Sequence, residues 1–202
     1  MAQYARPTSD ISVGSNYWSG TYYGWSANGS SATDLYQQVD EEVLDTSDYA
    51  RHYSQGSENA HTWKTGLGTI SPPDDMTTVK VSVTSLRTAT NYYVTIYLKY
   101  GSTTIKSWQM PADSVATTNV TTLSEEEAEE ISLEADNAGH TDWEDLQLWF
   151  TGDDDYSGKM GNVYQAFLEA GDAGGGGGGG TVNSASDDFS LVDNFGNHFS
   201  LE

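Results

Sequence analysis

This 202-residue chain predicts an all-β fold, an antiparallel β-sandwich of jelly-roll type with one short helix. Three observations carry that expectation. Apolar and polar residues alternate through several short runs in the middle of the chain. Gly, Ser, Asn and Asp separate those runs at short intervals. One isolated segment after Ser124 changes to helical spacing behind a capping signature.

Taken in order, the region up to Thr77 carries the weakest pattern. Ser15–Ser31, SNYWSGTYYGWSANGSS, mixes Gly, Ser and aromatics without a clear period and reads as long loops around one or two short strands. Short strands are expected near Leu35–Val39 and Tyr49–Tyr53, and SPPDDMT (Ser71–Thr77) reads as a turn. From Val79 the signal sharpens. VKVSVTSL (Val79–Leu86) sets Val79, Val81 and Val83 against Lys80, Ser82 and Thr84. YYVTIYLKY (Tyr92–Tyr100) places Tyr92, Val94, Ile96, Leu98 and Tyr100 on one face. Thr103–Met110 follows a tight Gly101-Ser102 connection, and Ala116–Leu123 is a Thr-rich strand.

Ser124-Glu125-Glu126-Glu127 is a capping box, and three acids suit the positive end of a helix dipole. Ala128, Ile131 and Ala135 then share a helix face. Asp145–Phe150 directs Leu146, Leu148 and Phe150 to one side, and Asn162–Ala170 reads as a last strand. The expected organisation is a sandwich domain over 1–170, a Gly-rich linker over 171–186 and a C-terminal hairpin over 187–202.

The linker contains seven consecutive glycines, Gly174–Gly180. A flexible run of that length reaches roughly 15 Å root-mean-square. Beyond it, Phe189, Leu191, Phe195, Phe199 and Leu201 form an apolar tail around a DNFGN turn. An isolated hairpin is marginal in water, so these side chains need a further surface. That surface is either the same domain or a neighbouring subunit; the second option makes the tail an assembly clasp.

Charge restricts the partners. Thirty Asp and Glu face eight Lys and Arg, a formal charge of −22. Such a chain repels nucleic-acid phosphates and anionic lipid, so neither nucleic acid nor membrane insertion is expected. Self-repulsion of this strength weakens a compact state in dilute buffer, and molar salt screens it with a Debye length of about 3 Å. The composition suits a protein working in brine. With no cysteine, disulfides, thiolate metal sites and cysteine nucleophiles are excluded. The first residues carry no basic-then-apolar leader pattern, so if the protein acts outside a cell, release by lysis inside an assembled particle would be one route.

Catalytic signatures are lacking in the sequence: there is no HExxH and no G-x-S-x-G, and the glycine run has no GK[ST] after it. A non-enzymatic protein is expected, without an organic cofactor. The cation candidate is a structural Ca²⁺ held by Asp40, Glu41 and Glu169, hard oxygen donors in an early loop and a late strand. The ligand or interface candidates are Tyr17, Trp18, Tyr22, Tyr23 and Trp25, rings set among small residues that can stack on sugars or pack a protein interface.

Five segments also occur together in a recognisable order: RPTSDISVG (Arg6–Gly14), DLYQQVDEEVLDTSDYA (Asp34–Ala50), the paired strands of Val79–Trp108, TTLSEEEAEEI (Thr121–Ile131) and DLQLWF (Asp145–Phe150). This order resembles a group of tailed-virus structural proteins with a jelly-roll, carbohydrate-binding-module-like sandwich. It spans most of residues 6–170 and leaves out the tether and tail. The resemblance implies a virion component, decorating the capsid, forming a turret or associated with the tail. Its partners would be other virion proteins and copies of itself. Joined to the acidity, it implies a virus of halophilic archaea. The alternative is a carbohydrate-binding or host-surface adhesin module that takes host surface glycans on the Tyr17–Trp25 rings.

Overall fold

The computed structural model describes residues 2–18, 21–54, 60–87, 89–153 and 158–171, with 191–192 and 198–199 of the tail. Among these, β1 (Gln3–Ala5), β3 (Ser15–Trp18), β4 (Thr21–Ala27), β5 (Ala50–Tyr53), β7 (Lys80–Arg87), β10 (Thr117–Thr122) and β12 (Met160–Ala170) form one sheet. The second contains β2 (Pro7–Val13), β6 (His61–Leu67), β8 (Val94–Tyr100), β9 (Thr103–Gln109) and β11 (Leu146–Gly152). The first sheet runs β10-β7-β12-β5-β4-β3, with β1 on the far half of β12; the second runs β2-β6-β11-β8-β9.

All strand pairs are antiparallel, so the chain is an all-β sandwich. Eight strands, β5 to β12, trace its jelly roll. They give β5-β12-β7-β10 in one layer and β6-β11-β8-β9 in the other, the arrangement of two wrapped Greek keys. The N-terminal strands then widen both layers: β2 extends one sheet beyond β6, and the β3–β4 hairpin extends the other beyond β5.

Local sequence explains most of the central elements. The β8–β9 hairpin closes through Gly101-Ser102, and Gly101 has φ 52°, a left-handed value that a Cβ would penalise. All five residues of the Tyr92–Tyr100 apolar face are buried, as are Leu146, Leu148 and Phe150 of β11. Helix α1 (Glu125–Ala138) begins with the expected capping box. Ser124 Oγ accepts from Glu127 N at 3.2 Å, and Glu127 Oε2 accepts from Ser124 N at 2.8 Å. It buries Ala128, Ile131 and Ala135 and ties to β9 through the Lys106–Glu127 ion pair and a 2.9 Å Thr103–Glu134 hydrogen bond.

The core is held between the layers by aromatic rings. Trp25 on β4, Trp63 on β6 and Phe150 on β11 are fully buried and mutually in contact. Trp63 and Phe150 stack at 5.0 Å, and Trp25 from the opposite sheet meets them at 5.6 and 5.9 Å. Each buried indole N–H has an acceptor: Trp25 donates to His61 O at 3.1 Å and Trp63 to Asp10 Oδ1 at 2.8 Å. Trp143 donates to Ser132 Oγ at 3.1 Å.

Three expectations are corrected. Leu35–Val39 is not a strand; Leu35–Gln38 is a 3-10 turn. The cause lies 25 residues upstream, where Asp10 accepts from Leu35 N at 2.8 Å and from Tyr36 N at 3.1 Å. With its first amides taken by that carboxylate, the segment cannot offer them to a strand neighbour. Ser15–Ser31 holds two strands as expected, β3 and β4, but joined as a hairpin and not set among long loops, and β1, β2 and β6 lie where no strand was expected. β1 and β3 are too short to show a period, and β2 is interrupted by register irregularities; partner pairing, not propensity, selects them. In the tail, Leu191–Val192 (β13) pairs antiparallel with His198–Phe199 (β14). Its remaining positions, including Phe189, Phe195 and Leu201, lie outside the described residues, as does the linker beyond Gly171.

Asp10 thus joins β2, the 3-10 turn and the core tryptophan. Asp10→Ala removes the acceptor of three donors and is expected to cost on the order of 3 kcal/mol in a denaturant titration. Asp10→Asn, which keeps a carbonyl oxygen, should lose clearly less.

Candidate functional site

The outer face of the second sheet carries a cluster of chemistry that sequence reading did not single out. Register places Trp149 of β11 between Lys64 of β6 and Tyr97 of β8. The Lys64 ammonium lies 3.8 Å from the centroid of the Trp149 ring, and the Lys99 ammonium lies 4.3 Å from it. Lys99 also donates to Ser102 O at 2.8 Å, and Trp149 Nε1 donates to Gln147 Oε1 at 2.8 Å. Thr62 and Thr151 share a 2.9 Å hydrogen bond in the next row. Two of the five lysines, half-buried Lys64 and buried Lys99, therefore meet on one half-buried ring, in a chain whose net charge is −22. An aromatic surface with ammonium, amide and hydroxyl groups suits a flat, anionic or polyhydroxylated ligand. The available signal was the alternation of Lys64, Trp149, Tyr97 and Lys99 with core residues; only strand register brings them together.

The N-terminal rings divide. Trp25 is corrected from a surface candidate to a core residue: it is fully buried, meets Trp63 and Phe150 at tilted angles, and its N–H is satisfied internally. Tyr23 is half-buried against Tyr53 at 5.5 Å. Tyr17 and Trp18 lie on β3, opposite Tyr22 and Thr21 of β4; the side chains of Tyr17, Trp18 and Tyr22 lie outside the described residues. What reads as a loop cluster is thus a hairpin at the sheet edge, with one ring turned inward.

The acidic candidates also separate. Glu169 on β12 pairs with Lys80 at 3.1 Å. Glu41 sits in the loop after the 3-10 turn, where its carbonyl accepts from Gln165 Nε2 at 2.7 Å. Asp45 accepts from Ser47 N at 2.8 Å and Ser47 Oγ at 2.7 Å. Among the described residues no three His, Asp or Glu gather into a set that could hold a metal ion, so Asp40, Glu41 and Glu169 do not converge. A shallow groove of about 470 Å³ runs past Ser12, Thr33, Asp34 and Tyr36, but the Asp10 carboxylate at its wall is committed to the fold.

Glu41 carries an electrostatic cost. Burial raises its pKa above the ordinary carboxylate value, and Asp40, Asp48 and Asp45 add repulsion. Its Oε2 is buried and takes no hydrogen bond among the described residues. Because the folded pKa is raised, the ionised carboxylate opposes folding at neutral pH, and the penalty is relieved as pH falls through that raised value. Glu41→Gln should therefore raise the melting temperature at pH 7. The gain should shrink as the medium is acidified and vanish below the ordinary pKa of 4.5, which thermal melts across that range will read.

No family model matches this sequence, and no curated protein matches it.

Proposed function

We propose that this chain is a non-enzymatic structural component of a tailed-virus particle, a capsid-decorating, turret or tail-associated protein that works through contacts between subunits. The observation that carries this reading is the way the chain leaves its body. The final strand β12 runs through the middle of its sheet to Ala170, and seven glycines then separate it from two short strands that pair with each other. Such a small hairpin has too little area to be stable alone and gains from a second surface. A tether of roughly 15 Å reach allows that surface to belong to a neighbouring subunit or particle protein as well as to the same domain. Support also comes from the five segments between Arg6 and Phe150 that resemble virion sandwich proteins. The acidic composition suits a particle assembled in a host cytoplasm and exposed to brine, of a virus infecting halophilic archaea.

Deleting Gly174–Glu202 should leave a folded, soluble sandwich that no longer enters particles or oligomers, measured by mass spectrometry of purified particles. Normal incorporation of the truncated chain would overturn the clasp.

The Trp149 face favours a second reading, a carbohydrate-binding or host-surface adhesin module. In that case Trp149→Ala should weaken retention on host envelope glycans by about tenfold or more, equivalent to about 1.4 kcal/mol, with the fold unchanged. No retention of the intact chain on those glycans would remove this reading.

A further inference from the structure

Among the described residues five strands of the two sheets have an open side, and four carry features that discourage further pairing; one of them, β1, has only three residues. β2 starts at Pro7, contains Asp10 and has two register irregularities against β6. β9 carries Lys106, has a register shift against β8 and packs against α1. β3 has only four residues. These are common ways of blunting an edge. β10 has none of them. Its six residues, TTNVTT, pair with β7 in unbroken register from Thr117↔Ser85 to Thr122↔Lys80, and it stands last in its sheet.

Charge marks the same place. Residues 114–124, SVATTNVTTLS, contain no ionisable side chain, in a protein with 38 charged residues. Val120 is 55% exposed and Val115 is 66% exposed. Two copies each carrying −22 can approach closely only where like charges are sparse.

We propose that two copies of this chain pair through β10, antiparallel about a two-fold axis at Val120, so that their sheets become continuous. This names a surface for the self-contacts of the proposed contact protein, and in that respect it rests on that reading. Geometry selects the register. A two-fold axis perpendicular to the sheet keeps outer faces on one side, so one residue must lie opposite itself. Centring on Val120 places Val120 against Val120 of the second copy, between two Thr118–Thr122 pairs on the outer face. On the inner face Asn119 meets Thr121. Every residue in the paired window 116–124 is uncharged, and Thr–Thr and β-branched cross-strand pairs are favourable ones. Remaining repulsion between the two acidic bodies makes the pairing stronger in molar salt.

The test uses the cysteine-free full-length chain in molar KCl. Residues directly opposite in an antiparallel pair have Cα atoms about 4.5–5.5 Å apart, within disulfide range. Val120→Cys should therefore give a disulfide-linked dimer about tenfold or more faster than the off-axis control Val115→Cys, through the effective concentration that pairing supplies. Val120→Lys should shift the wild-type dimer to monomer in light scattering, with its circular dichroism unchanged. A wild-type chain that stays monomeric in molar KCl, or equal cross-linking of the two cysteine variants, would overturn the proposal. So would cross-linking abolished by deleting Gly174–Glu202, since the tail and not β10 would then hold the two copies together. Loss of particle incorporation in the tail deletion bears on the clasp alone, so the two readings fail separately.

Discussion

The sandwich depends on how its two layers are joined, and that junction is the contact of Trp25 with Trp63 and Phe150. One ring comes from one sheet and two from the other, so burial here cannot be completed by either layer alone. Large aromatic groups supply much of the buried area in a chain whose apolar content is only 36%. Their indole N–H groups would be costly in such a setting without partners. The partners come from His61 and Asp10, which fix how β6 and β2 lie across the layers. Asp10 extends the constraint outward by holding the first amides of the 3-10 turn at Leu35 and Tyr36. Core packing, an edge strand and a surface loop are thereby coupled through one carboxylate.

The frame leaves most of its charge outside. A surface with 30 acids can be screened by salt, but a contact between copies still needs a place where charge is thin. Among the described residues two such places of opposite character stand out. On the outer face of the second sheet, Lys64 and Lys99 lie against Trp149 and locally reverse the prevailing sign. Along β10, charge is absent and backbone pairing capacity is left open at the sheet edge. The first suits a ligand with anionic or hydroxyl groups. The second suits another strand.

How legible this was in the sequence varies along the chain for physical reasons. Where a strand has one face in the core and one in solvent, period two is written directly, as in Tyr92–Tyr100 and Leu146–Phe150. The capping box at Ser124 is local chemistry and needs nothing distant. Among the N-terminal strands β1 and β3 are short, and the stability of β1 and β2 comes from partners far along the chain, β12 for β1 and β6 for β2. Leu35–Val39 had an acceptable strand composition, but a carboxylate from another element claimed its amides. Trp25 sat among small polar residues like an exposed ring, and only the opposite sheet explains why it is buried.

The sequence by itself determined the fold class, the central strands and their inward faces, the start of the helix, the charge of the surface and the glycine run. Each of these follows from local periodicity, local hydrogen bonding or simple counting. Tertiary structure alone decided which strands neighbour one another, which tryptophan faces solvent, where lysines meet a ring, and which edge is left unguarded. Those depend on register between segments far apart in the chain, such as Gln3 and Ala170, and no local pattern encodes such pairings.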